Sequence, residues 1–108
     1  MKKFKDVKPG DTLYCVEVSY VNAKFETITV IRNEYNYWLN EWEITYKDNR
    51  NKHHTPLYVN GDSASLYGMI FTEREEAVTT YRRQILRSLR YHHHMADTFA
   101  EKLEQDLF

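Results

Sequence analysis

An α+β fold is expected from three features of this 108-residue chain. Strand-type alternation is confined to residues before Phe71, turn signals recur every few residues there, and a helical pattern without Gly or Pro runs on from Thr72. Residues 1–71 read as a five-stranded antiparallel barrel or bent sheet, and residues 72–108 as one long C-terminal helix. A chain of this length makes the two one structural domain with one modest core.

The elements follow in order. "KPGD" (Lys8 to Asp11) is a turn, because Pro9 presets its own φ and Gly10 tolerates a positive one. "TLYCVEVSY" alternates, with Tyr14, Val16, Val18 and Tyr20 on one face, and "VNAK" is short enough for a hairpin connection. "FETITVIRN" is the second strand and "NEYN" interrupts it. "YWLNEWEITY" is the third, with Trp38, Trp42, Ile44 and Tyr46 on the core side and Glu41, Glu43 and Thr45 opposite. After the polar loop "KDNRNKHHT" come "PLYVN", where Pro56 stands at a strand start, and "LYGMIF" as the fifth strand. Thr72 with Glu75 three residues on forms a capping-box pattern, so the helix is expected from Glu73 to about Gln105.

Composition narrows the function. The net charge of −1 supplies no overall field to recruit nucleic acid or an anionic membrane. A single cysteine, Cys15, rules out an internal disulfide; placed mid-strand among apolar residues, it reads as a structural thiol. "MKKFKDVKPGD" has no apolar leader segment, so a cytoplasmic location is expected. No nucleophile elbow, phosphate-binding Gly loop, zinc motif or paired-carboxylate spacing is present, so no catalytic residues are assigned and a non-enzymatic role is expected, without cofactor.

Three consecutive histidines, His92 to His94, look like a metal site. On a helix, neighbours project about 100° apart, whereas one ion needs ligands three or four residues apart, so no metal is expected there. Arg83, Arg87, Arg90 and His94 do share a stripe, a candidate contact for an anion or nucleic acid, although acidic residues flank it on both sides. Tyr35 and Tyr37, at a loop edge, are candidate exposed aromatic contacts.

The helix also carries a heptad seam. Ile85, His92 and Phe99 recur every seven residues, as do Leu89, Ala96 and Leu103, offset by four. A helix of this length is about 50 Å long, more than a barrel about 28 Å across can cover. Self-association through Ile85, Leu89, His92, Ala96, Phe99 and Leu103 is therefore expected, with a dimer favoured, unless the helix breaks near His92 to His94. An antiparallel pairing would set Ile85 against Leu103, Leu89 against Phe99, and Arg87 opposite Glu101.

"VKPGDTLYCV" at the start of the strands and "MIFTEREEAV" at the junction (Phe71, Thr72, Glu75, Glu76, Ala77) resemble a pattern in small phage-type proteins with SH3-like barrels and a C-terminal helix. The resemblance implies an SH3-like barrel and a viral or mobile-element accessory protein in a bacterial cytoplasm, with no catalytic residues. Such proteins often bind and block a host protein. Two alternatives stand beside that role: nucleic-acid binding through the Arg/His stripe, and sequestration of a small anionic ligand such as a nucleotide at a subunit interface.

Overall fold

The structure is a computed structural model. It describes residues 1–19 and 22–107, and the side chains of all of these except 99 and 102–107. Six strands, β1 (Thr12–Val18), β2 (Ala23–Asn36), β3 (Glu41–Lys47), β4 (Leu57–Val59), β5 (Ser65–Leu66) and β6 (Ile70–Phe71), precede one helix, α1 (Arg74–Leu107). They form one antiparallel sheet in the order β4-β3-β2-β1-β6-β5.

The sheet curls because β2 serves two neighbours in succession. Its first half pairs with β1 and its second with β3, and the register shifts between Val30 and Arg32. A bulge at that point bends the strand and turns the sheet toward closure. "NEYN" is thus the end of β2, not an interruption. Asn33 earns its place there by donating from Nδ2 to the carbonyls of Phe4 (2.8 Å) and Val7 (2.9 Å). The N-terminal segment in turn spans the remaining gap. The Phe4 N–H donates to Ser63 O (2.8 Å) and the Lys5 N–H to Gly61 O (3.0 Å), while the Phe4 ring is fully buried in the interior. These bonds tie the N-terminal segment to the β4–β5 connection.

The expected fifth strand is a hairpin of two, which brings the count to six. Tyr67 (φ 53°) and Gly68 (φ 64°) both adopt the left-handed region, the geometry of a type I′ turn, so "LYGMIF" folds back on itself as β5 and β6. The third strand starts later than expected. Tyr37–Asn40 form the β2–β3 turn, in which Asn36 Oδ1 accepts the N–H groups of Trp38 (3.0 Å) and Leu39 (3.1 Å), and Asn40 takes a φ of 55°. Trp38 is consequently 97% exposed instead of in the core, while Trp42 and Tyr46 pack beside the fully buried Ile44 as expected.

β1 is covered on both sides. Leu13 joins Phe4, Val7, Ile28, Val30, Ile44 and Val59 inside the sheet. Val16, on the opposite face, joins Phe71 and Ala77, with Tyr14, Val18, Phe25 and Tyr81 packed around them. The face predicted from the alternation of Tyr14, Val16 and Val18 is thus the one that receives α1; its fourth member, Tyr20, lies outside the described residues. Cys15 faces the interior, and burial, with Glu26 adding, pushes its thiol up to about 11, far from a nucleophile's range.

α1 begins at Arg74, one residue after the expected start, with the Ala77 N–H bonded to Glu73 O at 3.2 Å. Thr72 is not its cap. The Thr72 hydroxyl donates to Lys2 O (2.6 Å) and lies 3.2 Å from Ala64 O, and Glu73 Oε1 accepts the Lys2 N–H (3.0 Å). Thr72 and Glu73 therefore fasten the N-terminal segment to the helix junction. From Arg74 the helix passes through His92 to His94 without a break. The radius of gyration is 19.0 Å and the longest extent 66 Å against 28 and 27 Å across, whereas a compact chain of this length would have a radius of gyration of about 13 Å. Among the described residues, no helix is long and apolar enough to cross a membrane.

Candidate functional site

Two surfaces stand out: the helix where it leaves the sheet, and the β2–β3 turn. Along the first part of α1, Ala77 is buried on Val16 and Phe71, and Tyr81 meets the Phe25 ring edge-on at 5.6 Å. Ile85 is half-buried and shares a shallow cleft of about 250 Å³ with Leu89, Val18, Asn22 and Ala23. A second cleft of about 460 Å³, lined by Val18, Ser19, Gln84, Arg87, Ser88 and Tyr91, marks the far end of this contact. Beyond it, every described residue from His92 to Glu101 is exposed except Met95, which is half-buried.

The predicted self-association residues divide across this boundary. Ile85 is partly covered by its own hairpin; Leu89 is 50% exposed; His92 and Ala96 are exposed on the projecting part. The side chains of Phe99 and Leu103 lie outside the described residues. The helix therefore continues a seam of period 3.5 past the body that covers its first turns.

Arg83, Arg87, Arg90 and His94 are all exposed. At about 100° per residue they fall within one sector of roughly 60°, and Asp97 and Glu101 continue the same stripe. The stripe is thus basic for three turns and acidic thereafter, on the side of the helix opposite the seam. This corrects one expectation: Arg87 and Glu101 point away from a partner helix seated on the seam and do not meet across it. At physiological ionic strength the Debye length is about 8 Å, so charges on outward faces do little to set the orientation of a pair.

The histidines are exposed, the Tyr91 and His92 rings meeting edge-on at 5.9 Å. His54, in the loop after β3, has partners of its own. It bonds Asp48 Oδ2 at 2.9 Å and stacks on Tyr46 at 5.5 Å. Together with the N–H groups of Lys52 and Arg50, it holds the Asp48 carboxyl down to about 2. Among the described residues, no group of three His, Cys, Asp or Glu side chains comes together as a metal site.

At the β2–β3 turn, Tyr37 is 86% exposed as expected, but Tyr35 is half-buried beneath it, ring edge to ring at 4.8 Å, and touches Trp42 at 5.5 Å. The Tyr35 hydroxyl bonds Asn40 Oδ1. Trp38 and Leu39 are exposed on the same turn as Tyr37, which the two-residue alternation does not predict. The two asparagines bracketing "YWL" were the available signal, since Asn36 and Asn40 are residues a tight turn favours. Beside the turn an open cleft of about 490 Å³ runs to the Asn60–Asp62 connection.

Comparison of the chain with protein-family models, with curated proteins and with solved structures finds no match.

Proposed function

We propose that this is a non-enzymatic binding protein that pairs with a second copy through the projecting half of α1. The observation that carries the reading is the exposed stretch from Leu89 onward, in which a 3.5-residue seam continues where the sheet no longer covers it. That period is what a helix needs in order to keep one face toward another helix, and an isolated helix of this length gains most of its stability from such packing. A viral or mobile-element setting, implied by the resemblance at the two junction motifs, fits a small assembled protein that occupies a host protein. The Arg stripe supports nucleic-acid binding less well, because Asp97 and Glu101 extend it with charges that a phosphate backbone repels.

The test is the mass in solution. Light scattering on the intact protein is expected to report a dimer, and Leu89→Asp combined with Ala96→Asp a monomer with an unchanged β signal in circular dichroism. A monomeric wild type, or a dimer that survives both substitutions, would contradict the reading.

A further inference from the structure

The cleft beside the β2–β3 turn has a composition that points away from both charged ligands and apolar peptides. One wall is apolar: Tyr35, Leu39 and Trp42. Trp42 lies so close over Gly61 that a Cβ there would come within 2.3 Å of its indole nitrogen, so only glycine lets the ring occupy this place. Polar groups line the cleft as well, Asn40 and Glu41 beside the turn and Asn60 and Asp62 from the β4–β5 connection. Lys5 closes one end and is paired with Asp62 at 2.9 Å. On the same turn as Leu39 and Asn40, which the Asn36 hydrogen bonds lock, Trp38 holds an indole almost wholly in solvent.

We propose that this cleft binds a neutral saccharide, with a sugar ring laid on the aromatic wall and Trp38 stacking on a following ring. Three features carry the assignment. The lining mixes carboxylate and amide acceptors with amide and ammonium donors, and a hydroxyl is the ligand group that both donates and accepts. Its one cation is already paired with Asp62, and Glu41 adds an acid, so a phosphate meets more negative than positive charge. An indole at 97% exposure presents a whole flat apolar face, the form a sugar's C–H face requires, and has only two side-chain torsions to order on binding. The open cleft suits an extended chain of sugars better than a single enclosed one.

The test is a titration of ¹⁵N-labelled protein, following the indole N–H signals of Trp38 and Trp42. The probes are soluble oligomers of α-linked glucose, β-linked glucose and β-linked N-acetylglucosamine, each taken to about 10 mM so that millimolar binding registers. Saturable shifts of both indoles with at least one of them are expected. Trp38→Ala and Glu41→Gln should each weaken that binding by about tenfold, and Leu89→Asp should leave it unchanged, which separates this site from the helix. Trp38 is too exposed for its loss to disturb the fold. No saturable shift with any sugar would overturn the proposal, as would undiminished binding in Trp38→Ala. Shifts produced instead by tetramethylammonium or adenosine monophosphate would overturn it in favour of a cation or nucleotide site.

Discussion

The two halves of α1 share one helix and one seam, and differ in what lies beside them. From Ala77 to Ser88 the helix lies on β1 and the β1–β2 hairpin, with Ala77 fully buried and Tyr81 seated on Phe25. From His92 to Glu101 no described side chain is fully buried. The difference teaches that the heptad pattern cannot tell an intramolecular partner from an intermolecular one. Ile85 and Leu89 belong to the same seam as His92 and Ala96, yet Ile85 is half-covered by its own hairpin. Only the size of the sheet decides where the first kind of contact stops.

A matched pair of substitutions breaks the comparison most strongly. Ala77→Asp places an unpaired charge between Val16 and Phe71 and should cost about 3–5 kcal/mol of folding stability. The same change at Ala96, measured by urea unfolding at concentrations too low for pairing, should cost within about 0.5 kcal/mol. Equal losses at the two positions would mean that the projecting half is supported within one chain.

A smaller effect separates the sheet body from the projecting helix by pH. The carboxyl of Asp48 is held below its ordinary value, so its contribution to the loop is present above about 3.8 and is lost as pH falls through about 2. The amides of Arg50 and Lys52, which donate to it at 2.8 and 2.9 Å, should keep their protection from exchange at pH 4 and lose it toward about 2. Asp48→Asn should remove most of that pH dependence. Protection of both amides that persists through acid would show that the loop does not rest on this carboxylate.

How far the sequence could be read depended on where one residue's neighbours decided its conformation. β1 was legible as a strand because apolar residues on both faces make a short, nearly continuous run between turn signals, and the helix start was found within one residue because acidic residues cluster in its first turn. The β5–β6 hairpin was hidden because it depends on Tyr67 taking a positive φ, which tyrosine does not signal. Trp38 was placed in the core because the two-residue period was counted through a turn made by the side chain of Asn36. Thr72 and Glu75 form a pattern typical of a helix cap, but the N-terminal segment, 70 residues away from Thr72, takes the Thr72 hydroxyl. The heptad spacing is a property of the sequence and runs along an unbroken helix, whereas Arg87 and Glu101 occupy outward positions of that heptad and do not meet across it. The aromatic cleft was illegible for a related reason: its far wall, Asn60 to Asp62, meets the β2–β3 turn only through the sheet topology.

Hydrogen exchange of α1 at a series of protein concentrations tests the central claim most directly, because it reads both halves of one helix in one experiment. The amides from Ala77 to Ser88 should stay protected at every concentration, held by the chain's own strands. Those from His92 to Glu101 should be protected when the protein is concentrated and lose that protection on dilution, as the paired copy departs. Distal amides with the same protection at all concentrations, or with none even in the most concentrated sample, would contradict pairing through the projecting helix.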